Sequence, residues 1–166
     1  TLAFAAALWG AWHAGKHVVL PGDTLPRTLE QLLPQVQACI GSLPHALPRP
    51  PFPIAGIEPL QPLSLTETKL SMFTSGSSGQ PERIDKTLRQ LDAEVQALEG
   101  LFGGDVLSAC DTVVLATVSH QHIYGLLFRV LWPLATGRQM QSQLLRYPEQ
   151  VLEQLRLQTQ CALVSS

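Results

Sequence analysis

The chain has 166 residues, 45% of them hydrophobic and 14% charged, with 11 Lys and Arg against 13 Asp and Glu for a formal net charge of −2. That length supports one domain with a sizeable core, and the absence of basic blocks argues against nucleic acid or an anionic membrane as a partner. The charged share is well below the about 25% of ordinary soluble domains, so part of the surface is expected to face other protein.

The opening run TLAFAAALWGAWHAG is apolar but shorter than the about 20 residues a bilayer span needs. It has no basic leader or clear cleavage site. It predicts a buried helix over 2–14, stopped by Gly15. HVVL (17–20) predicts a short buried strand ended by Pro21 and Gly22. Asp23 or Thr24 is placed to cap a second helix, on which Leu25, Leu29, Leu32 and Leu33 recur at helical spacing. Pro34 weakens or ends that helix. The proline-rich run SLPHALPRPPFPIAGIEPLQP predicts an extended connection across a surface.

KLSMFTS (69–75) predicts a strand that runs straight into a glycine-rich loop, and ERIDK continues as a short strand. Thr87 then caps a helix whose Leu88, Leu91, Val95 and Leu98 form one apolar face. The charges of its other face are expected to be merely solvated, and it fades at Gly103 and Gly104. DTVVLAT (111–117) predicts a strong strand, VSHQHIYG its exit loop, and LLFRVLWPLATG a buried helix with Pro133 near its end. Residues 147–158 predict a further helix and CALVS a last strand. Alternating strands and helices after residue 69 predict an α/β fold, a layered sheet with flanking helices. In such folds ligands bind at the carboxyl ends of strands, where both the glycine-rich loop and SHQH lie. Cys39, Cys110 and Cys161 are odd in number, widely spaced and set among apolar residues. They are expected to be buried free thiols in a reducing compartment. Trp9, Trp12 and Trp132 are expected to pack.

The stretch SMFTSGSSGQPERI concentrates the chemistry. Gly76 and Gly79 let the backbone bend and bring a row of N–H donors close to a ligand. Thr74, Ser75, Ser77 and Ser78 add neutral hydroxyl donors, and the set suits phosphate oxygens. A Walker loop is excluded, because no Lys follows Gly79. A nucleophile elbow is excluded too, because Gly-x-Ser-x-Gly is not met. The alternative is a flexible Ser/Gly turn.

FTSGSSGQP resembles the phosphate-binding signature of the adenylate-forming (AMP-binding) ligase superfamily, of the acyl-CoA synthetase or acyl- and aryl-acid ligase type. Phe73, Thr74, Ser75, Gly76, Ser77, Ser78, Gly79 and Pro81 match. The signature usually has Lys after the Pro, and here Glu82 stands in its place; Arg83 and Lys86 are near enough in sequence to supply positive charge instead. VSHQHIYGLLFRVLWPLATG resembles the next motif, with His122, Tyr124 and Gly125 in the matching places. The helix, AGKHVVLPGD and helix at the front resemble the segment before the phosphate loop.

The resemblance implies part of a large N-terminal domain: a leading α/β segment over 1–43, a proline-rich connection over 44–66 and a phosphate-loop α/β segment over 67–166. It implies that residues 74–79 hold the β- and γ-phosphates of ATP while a carboxylate attacks the α-phosphorus and pyrophosphate leaves. CoA or a carrier-protein thiol then takes the acyl group from the acyl-adenylate. His122, Tyr124 and Gly125 would shape the acyl pocket or gate the thiol channel. The aromatic and acidic residues around adenine and Mg²⁺ would lie outside this chain, as would the remainder of the N- and C-terminal domains. No catalytic residue is assigned within it, and the piece alone is expected to be inactive. The implied compartment is the cytoplasm. A degenerate, non-catalytic nucleotide-binding or scaffold module is the competing class, favoured by Glu82.

The histidines have other readings. His120 and His122 stand two apart, but no third ligand lies nearby for zinc. His122 can be a structural residue satisfied by backbone. His120 is expected to be a solvated loop residue. Cys110 and Cys161 have nothing basic beside them in sequence to make a nucleophile.

Overall fold

The structure, a computed structural model, describes residues 1–43, 46–48, 60–75, 81–104 and 111–165. Gly76, Ser77, Ser78, Gly79 and Cys110 lie outside the described residues, as does most of the proline-rich connection. Helix α1 (Leu2–His13) leads into β1 (Val18–Leu20), then α2 (Pro26–Leu32) and a 3₁₀ turn at Leu33–Gln35. Strands β2 (Lys69–Ser75) and β3 (Pro81–Thr87) precede α3 (Leu88–Phe102). Strand β4 (Val113–Ala116) is followed by α4 (Ile123–Leu126), a π-helical stretch (Leu127–Leu131) and α5 (Trp132–Thr136). Strand β5 (Gln139–Met140), α6 (Pro148–Leu157) and β6 (Cys161–Val164) complete the fold.

The strands form two three-stranded sheets, in the orders β1-β2-β3 and β5-β4-β6. In the first, β2 pairs parallel with β1 and antiparallel with β3. In the second, the central β4 pairs parallel with both neighbours. The run of apolar residues in β4 has a direct cause: both faces are covered. Val114 and Ala116 join the main core, while Val113 and Leu115 pack with Leu145 and with Val151 of α6. The main core gathers Ala5, Leu8 and Trp12 of α1, Leu70 and Met72 of β2, Leu91 and Val95 of α3, and Leu126 to Trp132. A single core therefore spans both sheets.

Several expectations need correcting. Helix α2 begins one residue after Leu25, with Pro26 in its first turn and no side-chain cap, so neither Asp23 nor Thr24 is its N-cap. Asp23 instead accepts a hydrogen bond from the Leu25 N–H at 2.9 Å, which shapes the entry turn. Helix α4 starts at Ile123, so Tyr124 and Gly125 are helical rather than part of an exit loop. The π-helical stretch ends at Leu131, two residues before Pro133, whose missing N–H cannot serve the regular ladder. Strand β5 has only two residues and was not legible as a strand. Cys39 and Cys161 are half-buried free thiols, not fully buried ones. Thr87 does cap α3, reciprocally with Gln90 in a capping box.

Candidate functional site

Strands β2 and β3 form an antiparallel hairpin whose register runs from Lys69↔Thr87 to Ser75↔Pro81. Its closing pair brackets residues 76–80, which carry the glycine-rich loop. Of the six expected phosphate-loop residues, Thr74 and Ser75 have their backbone in β2, and Gly76 to Gly79 lie outside the described residues. The base of the hairpin is firmly held, because β2 is the central strand and Leu70, Ser71 and Met72 are buried.

The end of β1 lies close by. The turn after β1 passes over the end of β2: a side chain built on Gly22 would touch Phe73 at 3.5 Å. Thr28 and the Leu25 N–H donate to the Asp23 carboxylate and hold it below the usual range, with a smaller attraction from His122.

Within that loop, His122 is exposed and is the N-cap of α4. Its N–H donates to the Ser119 carbonyl at 3.2 Å, and its carbonyl accepts from Leu126 at 2.8 Å. Tyr124 is 49% exposed, with its ring 4.7 Å from that of Phe128. Gly125 is buried, and a Cβ there would overlap the Ser119 carbonyl oxygen. The glycine is what lets α4 press against its own entry loop.

His120 is half-buried rather than a freely solvated loop residue. Its ring lies 4.0 Å from Phe4 of α1, and its buried Nδ1 has no hydrogen-bond partner. Burial, assisted by Arg129, pushes its pKa down to about 4.

The two cations near the loop both have carboxylate partners. Arg83 Nε lies 2.8 Å from Asp85 Oδ1, and Lys86 Nζ lies 2.7 Å from Glu94 Oε1 on α3. Asp85 Oδ1 also accepts from Ser71 Oγ at 2.5 Å, and Ser71 Oγ lies 2.7 Å from His17 Nε2. Sequence reasoning missed His17, Ser71 and Asp85. The signal was available in the hairpin: once Ser75 opposes Pro81, Ser71 must oppose Asp85. The charges of α3 are also more than solvated. Glu94 holds Lys86, and Glu99 holds Trp132 and Arg138.

Among the described residues, no three His, Cys, Asp or Glu side chains gather as a metal site, and no helix is long and apolar enough to cross a membrane.

No family model and no curated protein matches the sequence. The architecture is nevertheless similar to part of a solved structure, that of a malonyl-CoA ligase in a ternary product complex with methylmalonyl-CoA and AMP bound. The two share a TM-score of 0.69 at 20% sequence identity, over 99% of this chain and 37% of that one. At that identity the likeness is one of fold, and the chain spans little more than a third of the ligase's length.

Proposed function

We propose that the chain is the phosphate-loop portion of an ATP-dependent carboxylic acid ligase. The parent protein forms an acyl-adenylate from a carboxylic acid and ATP, releases pyrophosphate, and passes the acyl group to the thiol of CoA or a carrier protein. One observation supports the reading: the fold is shared with a malonyl-CoA ligase over 99% of the chain, and the FTSGSSGQP run begins in β2 and ends where β3 begins. Donors held in place in advance need little reorganisation as charge builds on the departing pyrophosphate, which is the physical source of the help such a loop would give.

In this reading Thr74, Ser75, Gly76, Ser77, Ser78 and Gly79 bind the ATP phosphates. His122, Tyr124 and Gly125 belong to the acyl pocket or thiol gate; the exposed Tyr124 ring and the exposed His122 support that role. Residues 1–43, 44–66 and 67–166 are the leading, connecting and loop-bearing segments of one N-terminal domain. The Mg²⁺ ligands and the groups around adenine belong to the rest of a cytoplasmic enzyme, and this chain by itself does not turn over.

The test is acid-dependent exchange of pyrophosphate into ATP by the full-length parent, across fatty, 3-hydroxy and aromatic acids. Wild type should exchange with one class of acid. The Ser77→Ala/Ser78→Ala pair should lose at least about tenfold, as expected for two lost donors to a charged group. Absence of exchange with every acid would favour the second reading, a degenerate binding module, to which the carboxylate of Glu82 already points.

A further inference from the structure

The corner where α1 begins holds more hydrogen-bond donors than acceptors. Arg129, in the π-helical stretch, is 3% exposed, so its guanidinium has given up nearly all of its water. Among the described residues its one hydrogen bond runs from Nη2 to the Ser142 carbonyl at 3.3 Å, its buried Nε has no partner, and no carboxylate pairs with it. A buried charge ordinarily has an ion pair or a full set of hydrogen bonds, because leaving it bare is costly. The acceptor that Arg129 does use is shared. The Ser142 carbonyl also takes the Thr1 hydroxyl at 3.1 Å and the Thr1 amino group at 3.2 Å. Both charged donors reach it at more than the about 2.7–2.9 Å of a good charge-assisted bond.

Helix α1 adds to the surplus. It runs for 12 residues, has no acidic residue in its first turn, and its N-cap Thr1 makes no side-chain capping bond. The Leu2, Ala3 and Phe4 N–H groups precede the first rung of its ladder, from Ala5 to Thr1, and give that end a partial positive charge. Phe4 of the same turn lies against His120, ring centroids 4.0 Å apart, and the buried His120 Nδ1 has no partner either. Contacts thus join three sets of donors: Arg129 to Thr1 through Ser142, and His120 to α1 through Phe4.

The charge of the corner selects the ligand. Burial keeps His120 neutral at ordinary pH, so Arg129 brings the one full side-chain charge and the helix end a fraction of another. A single carboxylate balances that. A phosphate dianion would carry surplus negative charge into a place with little water. The Nε and Nη edge of a guanidinium also offers two parallel N–H groups, which match the two oxygens of a carboxylate. We infer that Arg129, with His120 and the first turn of α1, forms a site for one carboxylate. The inference does not depend on the ligase reading. The carboxylate has two sources, an Asp or Glu side chain elsewhere in the full-length protein or a free small acid.

The test follows the Arg129 Nε–H by proton–nitrogen NMR in the full-length protein labelled at arginine, with formate as the probe. Loss of the signal in Arg129→Lys assigns it; Arg129→Met, neutral and of similar length, serves for the assignment if the lysine variant does not fold. A carboxylate on that edge moves the proton downfield and protects it from exchange with water. A downfield, protected signal in formate-free buffer places a side chain of the protein in the site. A signal that moves, saturably, only as formate is added, and not with matched chloride, makes the ligand a free acid. In that case Arg129→Lys should need at least about tenfold more formate for the same rise in melting temperature, through loss of the bidentate contact. An unmoved, rapidly exchanging Nε–H with and without formate would mean that the corner holds water alone, and the inference falls. A response to inorganic phosphate where formate gives none would overturn the choice of a carboxylate.

Discussion

At the scale of single residues, the two glycines with most to say are Gly125 and Gly10, because their surroundings are opposite. Gly125 sits in the first turn of α4 with the Ser119 carbonyl where a Cβ would be, and that neighbour is backbone, which cannot swing away. Gly10 is exposed within α1, with nothing within 4 Å of its missing Cβ. Gly125→Ala should therefore cost at least about 2 kcal/mol of stability through overpacking. Gly10→Ala should add about 0.5–1 kcal/mol through helix propensity. Equilibrium urea unfolding reads both. An unchanged midpoint for Gly125→Ala would mean that the loop after β4 is not pressed on the helix as described. Residue 125 also belongs to the expected acyl site, so the same packing sets where His122 and Tyr124 stand.

At the scale of elements, α3 is tied to the end of α5 by a cluster that periodicity could not reveal. Glu99 Oε2 accepts from Trp132 Nε1 at 2.7 Å and from Arg138 Nη1 at 2.6 Å, and the guanidinium lies 4.5 Å over the Trp132 ring. Hydrogen bonds from Arg138 and then Trp132 hold the Glu99 carboxyl below its usual range. The Arg138 side chain is fully buried, and the partly exposed Glu99 is one of its partners. Glu99→Leu alone should cost about 2 kcal/mol, the loss of charge-assisted hydrogen bonds from Arg138 and Trp132, and Glu99→Leu/Arg138→Met should cost less than the sum of the two single changes, because the two groups touch. Additive losses in the double-mutant cycle would show that the pair is not coupled. Most elements themselves were legible. The 3.6-residue recurrence in α3, the β-branched run of β4 and the Pro-Gly after β1 each act within a few residues. Strand β5 was not, since two residues carry no period, and neither was the start of α4, because His-Ile-Tyr-Gly reads as a loop until Gly125 is seen to need close packing. The glycine-rich stretch stood out by residue type alone, and Gly76 to Gly79 lie outside the described residues. The contact of His17, Ser71 and Asp85 was not legible, because those side chains meet only after three strands are in register.

At the scale of the whole molecule, the leading helix is joined to the second sheet as well as to the first. Phe4 of α1 stacks on His120 beyond β4, and Thr1 Oγ1 lies 3.1 Å from the carbonyls of Gln141 and Ser142. Buried Arg129 donates to the same Ser142 carbonyl at 3.3 Å and faces His120 as a second cation. Protonating His120 would place a new, half-buried charge against the Phe4 ring and in the repulsive field of Arg129. Its folded pKa of about 4 lies below the ordinary 6.5 of an unfolded histidine. Between those values the unfolded chain binds the extra proton, so stability is full above about pH 6.5 and falls as pH drops toward 4. Water still reaches part of the ring, which leaves a loss of about 1 kcal/mol between pH 7 and pH 5 once screening is allowed for. That window lies above the range in which Asp23, Asp85 and Glu99, all shifted downward, begin to protonate. Urea unfolding at pH 7, 6 and 5 should show the decline in wild type and a flatter profile for His120→Gln, which keeps a polar group but cannot take up the proton. A decline that persists unchanged in His120→Gln would assign it to another group and remove His120 from the contact between α1 and the second sheet.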